Sequence, residues 1–353
     1  MVHDLSPILF RIYGDIAVHW YGLSYVLGFF CAYILIRWIS IRQKQGLTPK
    51  LVGDFVLFSA IGVLIGGRLG YCLFYSPDLF LKFRPEFPFW GVFALSEGGM
   101  SSHGGMIGLV IVCTLFAISH GISRLYLYDL AALVGPVGIF FGRVANYING
   151  ELLGRPSPPD FPFGVKFPTE ILYWPEQDPV RLGQLATVIE KVPGWSAEMW
   201  TTATQQFQTD SGSRETLFRG LEQILEAIQS GNVAVKNAIA PLLVERYPSQ
   251  LFAAVGEGLL LFAILFILWR RPRKPGVISS CFLVFYSIVR IVDEHFRLPD
   301  AHLGFQLLEL SRGQWLSIGM LFIGLALLFM WGRREALPVM GWGRGQNVKI
   351  HRR

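Results

Sequence analysis

The sequence predicts an all-α polytopic membrane protein with about seven transmembrane helices. Three observations carry that expectation. The 353 residues are 52% hydrophobic and only 16% charged, with a mean hydropathy of +0.44, too apolar a balance for an ordinary soluble domain. Apolar runs that approach the roughly 20 residues needed to cross a bilayer recur along the chain. The basic residues, finally, gather in a few connecting segments.

The seven runs are read at residues 18–38, 51–75, 103–119, 126–148, 251–269, 277–292 and 315–331. With that count, three basic segments share one side: Arg37, Arg42, Lys44 and Lys50; the stretch RRPRK at 270–274; and a tail holding Arg333, Arg334, Arg344, Lys349, Arg352 and Arg353. The positive-inside rule makes that side the cytoplasm and places the amino terminus outside. The formal net charge of +6 is then a matter of topology, and no nucleic-acid partner is implied. The start, MVHDLSPILF, lacks the basic n-region of a cleavable signal, so the first span is expected to be retained. Cys31, Cys72, Cys113 and Cys281 all lie in apolar runs without metal-ligand spacing and read as small core residues, giving neither a metal site nor a disulfide framework.

Four regions follow: residues 1–150 with the first four spans, 151–247 as an extracytoplasmic head, 248–332 with the last three spans, and 333–353 as a basic cytoplasmic tail. The head is too long for a bare connection. Its first part, GRPSPPDFPFG, should be irregular, whereas SRETLFRGLEQILEAIQ places Leu217, Leu221, Ile224, Leu225 and Ile228 on one helical face. That face has three possible destinations: the head's own core, the membrane surface, or a partner. No internal repeat is evident, which weakens the case for an inverted-repeat transporter.

Ionisable side chains at membrane depth cost about 2.5 to 3.5 kcal/mol on insertion scales, so each needs a partner, a cavity or a substrate. Here they stand near the predicted outer ends of spans far apart in sequence: His19 and Tyr21; Glu97 and His103; Arg143, Asn146, Asn149 and Glu151; Arg290, Asp293 and Glu294. Arg143, Asn146 and Gly150 share one helical face, and Arg290 and Glu294 are one turn apart. A cationic cavity is the expected product. Two guanidiniums offer forked donors that match phosphate oxygens, so an anionic phospholipid is the natural ligand. Internal ion pairs, Arg143 with Glu151 and Arg290 with Glu294, are the plainer alternative. His103, flanked by glycines in GGMSSHGGMIG, is either a general base or a structural ring. The glycines themselves serve close helix packing, close approach of a lipid to the main chain, or both.

The blocks HWYGLSYVLGF (19–29), GGRLGYCLFY (66–75), GGMSSHGGMIG (98–108), GRVANYINGELLGR (142–155), YPSQL (247–251), VRIVDEHFRLPD (289–300) and RGQWLSIGM (312–320), taken together, resemble the phosphatidylglycerol:prolipoprotein diacylglyceryl transferases. The resemblance implies an enzyme of the bacterial cytoplasmic membrane with an extracytoplasmic active site. It would move the diacylglyceryl group of phosphatidylglycerol onto the lipobox cysteine of a preprolipoprotein, with no metal or soluble cofactor. It carries function to Tyr21, His103, Arg143, Asn146, Glu151, Gly154, Arg290 and Glu294. In that assignment Arg143 and Arg290 hold the phosphate, Asn146 orients it, His103 accepts the thiol proton, Tyr21 positions, Glu151 and Glu294 orient the arginines, and Gly154 belongs to the lipid site.

The chain departs from the family pattern at Tyr247, where His is common, and at Phe252-Ala253, where an aromatic followed by Glu is common. That removes an ionisable pair from the outer end of the fifth span. The stretch 176–246 also reads as longer than usual for the family. An anionic-lipid transporter or flippase, and a catalytically silent relative that binds lipoprotein precursors, stand as alternatives. A transporter would want polar groups along the inner halves of the spans, which are almost wholly apolar.

Overall fold

The computed structural model describes residues 1–13, 16–43, 46–86, 88–94, 98–298 and 307–336. The chain forms two compact units. One comprises Met1–Tyr25, Ile139–Glu257 and Val289–Ser317; the other comprises Val26–Gly138, Gly258–Ile288 and the chain from Ile318 onward. The long helices are α1 (Trp20–Gln43), α2 (Val52–Phe74), α3 (Ser102–His120) and α4 (Arg124–Asn149). After the head come α8 (Ser249–Trp269), α9 (Val277–Asp293) and α10 (Arg312–Arg333). Among the described residues, six of these are long and apolar enough to cross a membrane. The seventh run is α9, an apolar helix of 17 residues bounded in front by Gly276 at φ +97°.

In the second unit the sequence explains why α2 and α3 pack so tightly. Ser101 caps α3, its side chain accepting from the Gly104 amide at 3.2 Å, and Gly121 closes it in the left-handed conformation at φ +63°. Between those ends, Gly104 and Gly108 face Gly62, Gly66 and Gly70 of α2 with main chain against main chain. A Cβ on Gly104 would collide with the carbonyl oxygen of Gly66, and one on Gly108 with that of Gly62. The glycines around His103 therefore have a packing task, as small residues do between membrane helices. Replacing Gly108 by valine should destabilise the purified protein by about 1 to 3 kcal/mol, the usual cost of overpacking. A melting temperature equal to the wild type would contradict this seam.

A second device in this unit joins α4 to α9. Asp129, fully buried, accepts from the amides of Gly276 and Ser279 at 2.7 Å each, so a side chain of one helix caps the first turn of another. The core around it holds Ile36, Phe55, Tyr126, Leu130, Leu133, Leu265 and Trp269, with Cys113 and Cys281 among them. All four cysteines are free.

The first unit contains the head, where two short strand pairs accompany the helices. A hairpin of β1 (Ile8–Tyr13) and β2 (Ile16–His19) precedes α1. A second pair joins β3 (Val165–Lys166) to β4 (Glu245–Arg246). The start of the first apolar run, including His19, is thus strand before it is helix; short apolar stretches do not distinguish the two by periodicity.

The longer helices of the head are α5 (Ala197–Gln206), α6 (Ser211–Gln229) and α7 (Val233–Ile239). Leu217, Leu221, Ile224, Leu225 and Ile228 of α6 are all buried, against a core that includes Trp174, Leu182, Ile189 and Trp200. The amphipathic face therefore goes to internal packing. Asp210 caps α6 by accepting from the Ser213 amide at 2.6 Å.

The amino terminus is fastened to this head. The Lys166 amide donates to the Met1 carbonyl at 2.8 Å, and the His3 amide donates to the Lys166 carbonyl at 2.9 Å. His3 is only 4% exposed and packs edge-on to Tyr147 and beside Phe167, with ring centroids 5.3 and 5.2 Å away. Burial holds its imidazole below the ordinary value, outweighing a backbone hydrogen bond at Tyr147 and the charge of Asp4, which push the other way. The unfolded chain then binds the proton more readily, so this contribution to stability is full above about pH 6.5 and is lost as the pH falls through the lowered folded value. Thermal unfolding between pH 7.5 and 5 should show a smaller acid-induced drop in His3→Phe than in the wild type. Equal slopes would remove His3 from the acid response.

Candidate active site

The last turns of α4 present Arg143 and Asn146, three residues apart, and the end of α9 presents Arg290 with Glu294 just beyond it. What joins them comes from α8. Residues Ala254–Leu260 of that helix are wound as a π-helix, a form that recurs at functional sites, and they carry Glu257, which is fully buried. Arg143 donates through Nε and Nη2 to Glu257 Oε2 at 2.9 and 2.7 Å. Arg290 Nε lies 3.6 Å from Glu257 Oε1, close enough for ion pairing but too long for a hydrogen bond, while its Nη1 reaches Glu294 Oε2 at 2.9 Å. Glu294 is held in turn by the Ser311 hydroxyl at 2.8 Å. One buried carboxylate thus braces two guanidiniums from different helices.

Glu257 is a residue that sequence reasoning missed, although a signal existed: it is the only acidic residue in the apolar run 251–269. The departure at Ala253 accordingly does not strip the site of a carboxylate, because Glu257 supplies one four residues further along α8. The other departure becomes apolar packing. Tyr247 joins Phe161, Phe252 and Phe296 in an aromatic cluster, with ring centroids 4.9, 6.3 and 5.3 Å from it.

A second network stands beside the arginines. The Tyr21 hydroxyl donates to Glu151 Oε2 at 2.8 Å and accepts from the Asn146 side-chain amide. Asn146 and Asn149 also donate to Glu151, at 3.4 Å each. Glu257 braces Arg143, and Glu151 fixes Tyr21 and the amides of α4. Gln250 of α8 donates through Nε2 to the Glu151 carbonyl. Leu152 follows at φ +53°, a strained left-handed conformation for a non-glycine residue.

Gly154 has a steric task. A Cβ there would collide with the carbonyl oxygen of Tyr247 and crowd that of Phe296. Flanking main-chain bonds run from Arg155 to Phe296 at 2.8 Å and from Leu298 to Leu153 at 3.0 Å. Arg246 links this joint to the head, donating to the Gly154 carbonyl at 3.1 Å and to buried Glu170 at 2.8 Å.

Arg143, Arg290, Leu152, Ser249, Gln250, Asp293 and Arg297 line a small recess. Its lining carries three guanidiniums, two of them held by Glu257 and Glu294, together with the Asp293 carboxylate. In the sequence Arg297 stands out only as one letter of the motif VRIVDEHFRLPD.

His103 belongs to the second unit, where it stands exposed on the first turn of α3. Glu97 lies outside the described residues. Sequence reasoning also missed Arg68 of α2, which is 5% exposed and donates to the carbonyls of Gly91, Val92, Ala94, Gly98 and Gly99. This single side chain holds the main chain that leads into α3. Among the described residues no cluster of three or more His, Cys, Asp or Glu could hold a metal ion.

Residues 7–330 match the family model described as prolipoprotein diacylglyceryl transferase. The chain belongs to that family. A phosphatidylglycerol--prolipoprotein diacylglyceryl transferase of Bdellovibrio bacteriovorus is 57% identical to it over 353 residues, covering all of both chains. Enzymes of the same name from Ralstonia pickettii and Burkholderia ambifaria are 33% and 35% identical, covering 99% of both chains in the first case, and 94% of this chain and 96% of the relative in the second. The Bdellovibrio match runs through the head, so the stretch 176–246 has a counterpart in that relative.

Proposed function

We propose that this chain transfers the diacylglyceryl group of phosphatidylglycerol to the lipobox cysteine of preprolipoproteins, forming a thioether and releasing glycerol phosphate. The observation that carries the proposal is the pair Arg143 and Arg290, braced by one buried carboxylate and opening on a shared recess. The substrate thiolate attacks the glyceryl carbon, the C–O bond to the phosphodiester breaks, and the electron pair leaves on a phosphate oxygen. Fixed guanidiniums stabilise that developing charge. Glu257 keeps both side chains in place before the lipid arrives, so little reorganisation is needed during reaction.

The thiol has a free pKa near 8.5 and must lose its proton to attack. On chemical grounds His103 is assigned that proton. Tyr21, Glu151 and Asn146 act as one positioning unit, with Asn146 orienting the headgroup. Glu294 orients Arg290, and Gly154 serves through the joint it permits. In the membrane, α9 completes a set of seven spans, its 17 residues falling at the short end of the spanning range of about 17 to 25. The amino terminus and head face the extracytoplasmic side of the inner membrane, and the basic segments face the cytoplasm.

The experiment is direct. Purified protein, phosphatidylglycerol and a lipobox peptide should yield peptide heavier by one diacylglyceryl group, and a peptide with serine in place of its cysteine should stay unmodified. A wild-type protein that binds lipid and peptide yet modifies neither peptide would reduce the chain to a silent relative.

A further inference from the structure

His103 is the second residue of α3 and its side chain is exposed, so the main chain that enters the helix, rather than a buried pocket, decides where the ring stands. That entry contains two soft joints. Gly98 and Gly99 are both left-handed, at φ +79° and +83°, and glycine is the residue least confined to any one backbone conformation. The restraint comes from α2. Its Gly67 carbonyl accepts from the Ser101 amide at 2.8 Å, and its Tyr71 ring closes on Gly99 so tightly that a Cβ there would collide with it. Arg68 reaches furthest. Its Nε donates to the Val92 carbonyl at 2.7 Å and its Nη2 to those of Gly91 and Ala94 at 2.8 and 3.0 Å, while Nη1 donates to the carbonyls of Gly98 and Gly99, the latter at 3.0 Å. The bonds at 91–94 fold the connection after α2. The Nη1 pair carries the same guanidinium to within four residues of His103.

We propose that Arg68 is a positioning residue for the transfer: by fixing Gly98 and Gly99 it sets the His103 ring where the thiol proton is taken up, without itself touching substrate. This rests on the transferase reading, with His103 as its proton acceptor. A base must stand within about 2.6 to 3.2 Å of the proton it takes, and a misplacement of about 1 Å can cost a hundredfold in rate. Two left-handed glycines do not hold that tolerance by themselves. Bonds from a guanidinium that is only 5% exposed do, because charge-assisted hydrogen bonds are stronger than neutral ones and water competes little for a buried donor. A methionine at 68 would fill much of the same space and release all five carbonyls.

The test measures kcat and KM for phosphatidylglycerol and a lipobox peptide in the wild type, Arg68→Met, His103→Gln and the double variant, each checked for folding by thermal unfolding. At about pH 7, Arg68→Met should lower kcat by about tenfold to a hundredfold with the KM for the lipid unchanged. At about pH 9.5, above the free thiol pKa near 8.5, the solution supplies thiolate and the deficit against the wild type should shrink to about threefold or less. The double variant should be no slower than His103→Gln, since a residue that acts through the ring has nothing further to remove once the ring is gone. A deficit independent of pH, or a double variant slower than His103→Gln by the full Arg68→Met factor, would mean that Arg68 serves the fold at large and would overturn the inference. So would wild-type turnover in folded Arg68→Met. Should Arg68→Met fail to fold, Gly98→Ala decides the matter, because it strains the left-handed joint without meeting any neighbour and leaves Arg68 in place. It should show the same pH-dependent loss at smaller size, and a loss independent of pH, or none, overturns the inference. Full turnover by His103→Gln at about pH 7 would remove the ring from the chemistry and this inference with it, leaving the transferase reading intact. No turnover by the wild type would overturn that reading as well.

Discussion

Replacing Arg143 by lysine should lower kcat/KM for diacylglyceryl transfer by about a hundredfold to a thousandfold while the protein remains folded. The charge is retained, but the geometry is not. Arg143 places Nε and Nη2 on one oxygen of Glu257, which fixes the plane of the guanidinium. An ammonium has no plane to fix and offers a point charge where the arginine offers a fork. Removing one preorganised donor from a developing oxyanion costs about 2.7 to 4 kcal/mol, the origin of the expected factor. Steady-state kinetics beside a melting curve checks it. Near-normal turnover in Arg143→Lys would mean that charge alone serves and that the forked contact is incidental.

The second large effect is on stability. Glu257→Ala should destabilise the protein by about 3 to 5 kcal/mol, because it removes the buried anion shared by Arg143 and Arg290. Arg143 and Arg290 have only 18% and 13% of their side chains exposed, so solvent offers them little compensation. Glu257→Gln preserves the shape and one acceptor oxygen, and it should fall between the alanine variant and the wild type. Chemical denaturation in a fixed detergent orders the three proteins. An alanine variant as stable as the wild type would show that the two arginines find other partners, and Glu257 would lose its place as the brace.

Much of this organisation is legible in the sequence, and the exceptions have physical causes. Apolar runs of bilayer length mark every long helix, because burial in lipid demands continuous apolar sequence. The convergence of Tyr21, Asn146 and Glu151 is legible for the opposite reason, since polar groups at membrane depth require partners. Which partner each one takes is not. The sequence reading offers Glu151 as a partner for Arg143, and only the three-dimensional course of α8, with its π-helical stretch, brings Glu257 to it. Arg68 escapes notice because its five acceptors are main-chain carbonyls more than twenty residues away, and carbonyls leave no mark on composition. The hairpin before α1 goes unread, because only its last two residues, Val18 and His19, fall within the first apolar run and so short a stretch shows no periodicity. The glycines at 104 and 108 offer two uses, and the seam with α2 shows the packing one.

The work assigned to Arg143 and Arg290 depends on which bond breaks, because guanidiniums lower the barrier to this displacement only if the phosphate leaves with its bridging oxygen. The most direct measurement uses phosphatidylglycerol labelled with oxygen-18 at the atom joining the diacylglyceryl carbon to phosphorus. After reaction with the lipobox peptide, both products are weighed by mass spectrometry. Attack of sulfur at carbon predicts the label in the released glycerol phosphate and an unlabelled thioether peptide. A label retained on the lipid side would place the cleavage at phosphorus and contradict the role of Arg143 and Arg290 as stabilisers of a departing phosphate.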